Sequence, residues 1–177
     1  MAALTSERTD PPQSGSELAT LSGFLDYHRR TLLLKTEGLD ADQLDRTLGP
    51  STMTLGGLLK HLAYVEHNWF VLVLQDGPAH EPWASVDWAA DRDWEWSSAA
   101  SDTPDELRAL LVESVARSEA IVHELGGDLD HLSARNDRHT GEPFSLRWIL
   151  VHLIEEYARH NGHADLIRES IDGATGE

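Results

Sequence analysis

The sequence contains no cysteine among its 177 residues. This absence excludes disulfide bonds, thiolate zinc sites and cysteine nucleophiles, so any bound metal must be held by nitrogen and oxygen ligands. Basic residues are also scarce, because 14 Lys and Arg face 31 Asp and Glu, giving a formal net charge of −17. Binding to phosphate backbones and to anionic lipids depends on basic contacts, so we expect neither a nucleic-acid nor a membrane partner.

Long apolar runs are absent as well. None approaches the roughly 20 residues that a membrane-spanning helix requires. The first residues, MAALTSERTDPPQSGSE, lack the basic start and apolar stretch of a secretory signal. We therefore expect a cytoplasmic protein, and its 40% hydrophobic and 25% charged residues are typical of a globular domain.

The chain is long enough for one domain with a substantial core. Residues 1–15 are rich in Ser, Thr, Pro and Gly, which predicts a disordered tail before a folded domain over 16–173. Apolar residues recur at helical spacing in four segments. These run from about residue 16 to 37, 54 to 74, 103 to 125 and 145 to 169. We predict no strand, and hence an all-α, up-down four-helix bundle.

A long crossover, residues 76–102, separates the second and third predicted helices. It is acidic and contains four of the six tryptophans, which are Trp83, Trp88, Trp94 and Trp96. So many large aromatic side chains need cover from other residues, which argues against disorder. Two interpretations stay open: a loop packed over the end of the bundle, and a lid or wall of a pocket.

The last predicted helix carries polar groups on its apolar face. At about 100° per residue, His152, Glu156, His160 and His163 fall within about 80° of one another, on the side that also carries Ile149 and Ile167. The same helical count places His61 on the inward side of the second predicted helix. It places Lys60 and His67 of that helix on the outward side, about 240° to 260° from His61.

Burying histidine and glutamate side chains costs free energy unless each has a hydrogen-bond, ionic or metal partner. A buried carboxylate costs several kcal/mol unless it is paired or bound to a metal. Glu156 and His160 are four residues apart on one helical face, so both can reach one cation, and His61 is the natural third ligand. Three such ligands leave coordination positions open, which is typical of catalytic sites. The alternative is a metal-free bundle with hydrogen-bonded core histidines.

Three further histidines have candidate roles. His163 is a candidate fourth ligand, general base or residue at the solvent mouth of the site. His28 shares the apolar stripe of the first helix and is either a hydrogen-bonded core residue or a second candidate base. His152 lies one turn away from Glu156 and is interpreted as a structural partner.

Two stretches together resemble the DinB-like superfamily. They are TLGGLLKHLAYVEHNWF, residues 54–70, and SLRWILVHLIEEYARHNGHADLIRE, residues 145–169. The resemblance covers about residues 18–173 and implies a four-helix bundle whose core metal is held by three residues. By motif position these are His61, Glu156 and His160. Many members have histidine at both positions of the last-helix pair, whereas mycothiol-dependent maleylpyruvate isomerases, similar in fold, have a carboxylate where this chain has Glu156.

The same resemblance suggests an activity. Characterised relatives are metal-dependent S-transferases or isomerases that use low-molecular-weight thiols such as bacillithiol or mycothiol. We therefore predict a divalent metal, zinc before nickel or iron, a thiol cosubstrate and a small electrophilic substrate, with His163 or His28 assisting removal of the thiol proton. The alternative is a non-catalytic metal-binding or ligand-sensing bundle. We also expect a homodimer.

Overall fold

The computed structural model describes residues 4–175, and these are mostly helical. The first two helices are α1 (Glu17–Thr36) and the short α2 (Ala41–Leu44). Helix α3 (Leu55–Glu66) continues directly as a π-helical segment, His67–Leu74. A short α4 (Trp94–Ser97) precedes the long α5 (Pro104–Glu124), and α6 (Leu146–Asp172) ends the fold.

The ends of the long helices follow from their capping residues. The side chains of Ser16, Thr54, Thr103 and Ser145 each accept a hydrogen bond from a backbone N–H of the first turn. At the start of α5 the cap is reciprocal, because Glu106 also accepts a hydrogen bond from the backbone N–H of Thr103 at 2.8 Å and completes a capping box. Gly173 ends α6 in the left-handed conformation that glycine adopts most easily.

The prediction of a helical fold is confirmed in broad terms, but the prediction of no strand is wrong. Strands β1 (Leu132–Asn136) and β2 (Pro143–Ser145) form an antiparallel hairpin just before α6. In β1 only Ser133 is buried, so apolar and polar residues do not alternate in the way that reveals a half-buried strand. The hairpin leads straight into α6, whose cap, Ser145, is also the last residue of β2.

The long helices pack in two main pairs. Helix α1 lies against α6, α3 lies against α5, and α3 also contacts α6. Helix α6 therefore has two buried faces. Asn161 lies on the side of α6 opposite the histidine stripe, and it is nevertheless only 5% exposed. Its side-chain amide donates a hydrogen bond to the backbone oxygen of His28 at 2.9 Å.

The middle of the core contains a complete polar network. Arg29 of α1 donates from Nε and Nη2 to the two carboxylate oxygens of Glu66, at 2.7 and 2.8 Å. The hydroxyl of Tyr157 donates to the same carboxylate at 2.9 Å. All three side chains are buried, and their mutual hydrogen bonds offset the cost of removing the charges from water.

The segment before α1 lies along that helix. Arg30 donates to the backbone oxygens of Thr5 and Glu7, and the Arg8 guanidinium lies 5.0 Å from the centre of the Tyr27 ring. Residues 1–3 of the predicted tail lie outside the described residues, and the proposed division at residue 16 stays a prediction. Within the described range, no helix is both long enough and apolar enough to cross a membrane.

Candidate metal centre

His61, Glu156 and His160 converge where α3 packs against α6. One potential ligand atom from each residue lies within 4.8 Å of the other two. Nε2 of His160 is 3.4 Å from Oε2 of Glu156, and the rings of His61 and His160 have their centres 5.0 Å apart. The structure thus brings together the three residues that the helical count turned inward from separate parts of the sequence.

The three side chains differ in burial. His160 is 8% exposed, whereas the His61 and Glu156 side chains are about a fifth exposed, so solvent reaches one side of the cluster. Burial, and secondarily the neighbouring His61, lowers the pKa of His160 to about 4, although Glu156 opposes the shift. His160 is therefore neutral near pH 7 and has a nitrogen lone pair free for a metal.

The chemistry of this donor set fits a divalent cation. In the part of the chain that the structure describes, the ion-pair partners of Glu156 are two histidines, His152 at 3.8 Å and His160 at 3.4 Å, with no lysine or arginine among them. Two imidazoles and a carboxylate are ligands that zinc and other transition metals accept. An ion bound between them would supply the positive charge that the cluster lacks.

Glu95 contacts the cluster from outside α3 and α6. It belongs to α4, is 5% exposed, and its Oε1 lies 3.2 Å from Nδ1 of His61. Its Oε2 is buried and has no hydrogen-bond partner among residues 4–175. A carboxylate at Nδ1 leaves Nε2 of His61 as the nitrogen that can bind a metal. Sequence reasoning missed Glu95, although an acidic residue between Trp94 and Trp96 was a signal that could have identified it.

The tryptophan-rich crossover forms one wall of the centre. Trp96 stacks on His61 with ring centres 4.7 Å apart, and it lies 6.1 Å from the His160 ring. Trp88 stacks on Tyr64 of α3 at 4.6 Å, and Trp83 is 3% exposed. The segment therefore both packs over the helices and borders the site, which combines the two interpretations of the sequence.

The same packing overturns two sequence predictions. Lys60 and His67 were expected to point outward, but they are only 2% and 3% exposed. The Lys60 ammonium lies 2.5 Å from Asp102 and 4.2 Å from the centre of the Trp94 ring. His67 lies against His80 and Trp83. The crossover covers this side of α3, which a helical count cannot reveal because it treats the uncovered side as solvent-facing.

The remaining candidate histidines lie at different distances from the centre. Nδ1 of His163 is 3.4 Å from Nδ1 of His160, on the side of that ring away from Glu156. His28 contacts Asn161 and the edge of Tyr27 instead of the three candidate ligands, and burial lowers its pKa. The proposed roles of both as bases stay predictions.

His152 connects the centre to an aromatic surface. Its Nε2 is 3.8 Å from Glu156, and its ring stacks on Trp148 at 4.9 Å and meets the edge of Trp69 at 4.7 Å. This agrees with the interpretation of His152 as a partner of the site and not one of its three central residues. Trp148 is 44% exposed, so the aromatic surface continues to solvent.

Comparison with known proteins agrees with this arrangement. A family model described as mycothiol S-transferase matches residues 20–173, which is nearly all of the folded chain. No curated protein matches the sequence. The match confirms the resemblance to the DinB-like superfamily, which contains this family. The chain therefore belongs to the mycothiol S-transferase family.

Proposed function

We propose that this protein is a metal-dependent S-transferase that joins a low-molecular-weight thiol of the mycothiol type to small electrophiles. The observation that carries the proposal is the convergence of His61, Glu156 and His160, with potential ligand atoms within 4.8 Å of one another. The family match supplies the thiol chemistry, because nothing in the site itself specifies which thiol is used.

These three residues would hold a divalent ion, which we propose to be zinc, with nickel or iron as alternatives. When bound, the ion would supply Lewis acidity that lowers the pKa of a thiol and keeps it as a thiolate at neutral pH. The partial exposure of His61 and Glu156 leaves a side of the site open to a cosubstrate. Solvent on that side can take up the proton that the thiol loses.

Neighbouring residues would hold two of the ligands in position. Glu95 accepts a hydrogen bond from Nδ1–H of His61, which directs Nε2 of that ring away from Glu95. Nδ1 of His160 faces His163, so His163 can accept a hydrogen bond from it while Nε2 of His160 faces Glu156. We therefore propose His163 first as a residue that orients His160, ahead of the predicted role as a base.

The overall reaction is a nucleophilic substitution or addition at an electrophilic carbon. The thiol sulfur forms a bond to that carbon. In a substitution the leaving group departs with the electron pair of the broken bond. In an addition the electron pair of the carbon's π bond moves to the neighbouring atom, which takes up a proton from solvent. The aromatic surface of Trp69, Trp148 and His152, of which Trp148 is the exposed member, adjoins Glu156 and offers flat apolar contacts to the electrophile. We infer that aromatic or other apolar electrophiles are preferred to charged ones.

The decisive experiment measures metal and thiol transfer on the same untagged protein. Metal content is determined by mass spectrometry for wild type and His160→Ala, and thiol transfer is assayed with mycothiol and a panel of alkyl halides, epoxides and haloaromatics. We expect near-stoichiometric metal and measurable transfer in wild type, and loss of both in His160→Ala. Metal without transfer to any electrophile would reject the S-transferase activity, and absence of metal after incubation with zinc, nickel and iron would reject the centre.

A second candidate function is a non-catalytic metal-binding or ligand-sensing protein. The observation that favours it is Trp96, which covers one face of His61 and restricts access to the site. The two functions differ in whether an external ligand reaches the ion. Azide or thiol binding to the cobalt-substituted protein, followed by its visible spectrum, should occur in the enzyme and should be absent from a sealed site.

Four broader expectations belong to the same proposal. We propose that the four helices of the predicted up-down bundle are α1, α3 with its π-helical continuation, α5 and α6. The net charge of −17 argues against nucleic acid as a partner. A homodimer and a cytoplasmic location are the remaining expectations, and the first can be measured by analytical ultracentrifugation.

A further inference from the structure

Apart from the candidate metal centre, a cavity lies on the side of the fold formed by α1 and α5. It has a volume of about 550 Å³ and is bordered by α1, the π-helical segment, the end of α5 and the start of α6. It exists because α1 packs on α6 while α5 packs on α3, which leaves space between the two pairs. We call it the α1–α5 cavity. None of its lining residues is one of the three candidate metal ligands.

The floor of the α1–α5 cavity is apolar and well ordered by packing. Leu25, Phe70 and Leu150 line it, and each is at most 2% exposed. At the end of α5, Gly127 has a φ of 70°, and a Cβ there would lie 2.3 Å from the side chain of Leu18. Because this position is a glycine, the turn after α5 approaches α1 closely and borders the cavity. Both volume and lining are typical of sites for small molecules.

The polar side of the cavity has an unbalanced negative charge. Arg29 lines the cavity, but Glu66 binds two of its nitrogens and neutralises it. Asp26 is similarly paired with Arg30 at 2.8 Å. Glu119 is left with a single ion-pair contact, its Oε1 at 3.8 Å from Nη1 of Arg29, which exceeds hydrogen-bond distance. Glu119 thus lacks a close cationic partner within residues 4–175.

The burial and neighbouring charges of Glu119 independently indicate that this position favours a cation. Its side chain is 35% exposed and turned toward the cavity that it lines. Burial, as the largest cause, raises the pKa of the Glu119 carboxyl, and the nearby Asp26 and Glu66 act in the same direction against Arg29. A cation placed beside Glu119 would relieve this unfavourable environment, whereas an anion would worsen it.

We propose that the α1–α5 cavity binds a small apolar molecule that carries one protonated amine. The ammonium group would pair with Glu119, and the apolar body would cover Leu25, Phe70 and Leu150. An anionic ligand does not fit, because it would meet Glu119 and Asp26 and find the Arg29 charge already engaged by Glu66. The proposal is independent of the metal centre and of thiol transfer.

Three probes of equal shape and different charge test this proposal. Phenylbutylamine, phenylbutanol and phenylbutanoate are titrated into the untagged full-length protein by calorimetry, at low and at moderate salt. We expect the amine to bind with 1:1 stoichiometry and at least about tenfold more tightly than the alcohol, because a charge-assisted hydrogen bond adds to the apolar contact. The carboxylate should bind most weakly of the three.

Matched variants locate the binding. Glu119→Gln should weaken amine binding at least about tenfold, whereas Glu124→Gln, an exposed control on the same helix, should leave it unchanged. Val122→Trp and Ser22→Leu fill the cavity from its two sides and should abolish binding. Circular dichroism verifies the fold of each variant, and having two filling variants keeps the test valid if one fails to fold. His160→Ala should bind the amine as wild type does, which excludes binding through the metal.

Each remaining outcome rejects the proposal. Tighter binding of the carboxylate would make this an anion site at Arg29. Equal loss in Glu119→Gln and Glu124→Gln, or amine binding that persists in both cavity-filling variants, would show nonspecific attraction of an amine to an acidic protein. No binding of any probe would show that the cavity is not a ligand site.

Discussion

Two polar clusters lie close together along the same two helices, and they differ in how their groups are satisfied. Glu66 of α3 and Tyr157 of α6 meet Arg29, where a carboxylate receives three hydrogen bonds between 2.7 and 2.9 Å. Five residues earlier in α3, His61 meets Glu156 and His160 of α6. There, within the described residues 4–175, the ion-pair partners of the Glu156 carboxylate are two imidazoles, and burial lowers the pKa of one of them, His160, to about 4.

The difference separates a structural network from a candidate binding site. In the Arg29 network each charge has its opposite and nearly every lone pair has a donor, so adding a ligand would gain nothing. In the histidine cluster, Glu156 has no lysine or arginine as an ion-pair partner among residues 4–175, and within the same residues a buried oxygen of Glu95 has no hydrogen-bond partner. Buried polar groups are expected to be satisfied, so the unpartnered oxygen of Glu95 supports the proposal of a ligand at this cluster.

Breaking the satisfied network should have the largest effect on stability. Arg29→Met leaves Glu66 buried without its counterion, and we expect the free energy of unfolding to fall by about 3–5 kcal/mol. Urea unfolding followed by circular dichroism measures it. The double variant Arg29→Met with Glu66→Leu should recover much of the loss, because it removes both charges. If Arg29→Met cost less than the double variant, the network would not be a paired structural element.

Removing a candidate ligand should produce the opposite pattern, with a large loss of metal affinity and little loss of stability. His160→Gln should raise the dissociation constant for zinc more than about 100-fold, exceeding the effect of a supporting residue. The unfolding free energy of the metal-free protein should change by less than about 1 kcal/mol, because no strong hydrogen bond is lost. Competition with a chromophoric chelator measures the affinity. A large stability loss with unchanged zinc affinity would make His160 a structural residue.

Changing the supporting carboxylate should have an intermediate effect. Glu95→Gln keeps the shape of the side chain but removes its charge, and we expect zinc affinity to fall about 10- to 100-fold. The matched control is Glu81→Gln in the same crossover, where the carboxylate is exposed and contacts Ser85 instead of a histidine. In cobalt-substituted protein the visible spectrum should shift only in Glu95→Gln. Equal affinities in the two variants would contradict a role for Glu95 at His61.

The convergence of His61, Glu156 and His160 was predictable from the sequence because helical periodicity is a local property. The spacing of Glu156 and His160 places both on one face of α6 whatever surrounds it, and burying them with His61 requires a common partner. The capping residues Thr103 and Ser145 likewise fixed the starts of α5 and α6 through contacts within a few residues. These parts of the fold depend on contacts between residues a few positions apart, so residue spacing in the sequence predicts them.

The parts that could not be predicted depend on contacts between distant segments. Glu95 reaches His61 across 34 positions, through a crossover whose path periodicity does not describe. The same crossover buries Lys60 and His67, which a helical count had turned outward. The hairpin was missed because β1 is largely exposed and β2 has three residues that are all half-buried, so neither strand carries an alternating pattern.

The titration of His67 has the smallest expected effect on stability, and it tests specifically whether the crossover covers this face of α3. Burial, then His80 and Arg117, lowers the pKa of His67 from 6.5 to about 4 in the folded protein. Between these two values the unfolded chain binds a proton that the folded chain excludes, so stability falls as pH decreases through this range. The fall attributable to His67 is at most about 1.4 kcal/mol per pH unit.

His67→Gln removes this titration while leaving a polar side chain in place. We expect the unfolding free energy of the variant to depend less steeply on pH than that of wild type between about pH 6.5 and about pH 4. Urea unfolding at several pH values in this range measures the slopes. His139→Gln, in the exposed turn of the hairpin, is the control and should keep the wild-type slope. A slope unchanged by His67→Gln would mean that the crossover does not shield this face of α3, and it would also weaken the assignment of Glu95 and Trp96 as a fixed wall of the metal centre.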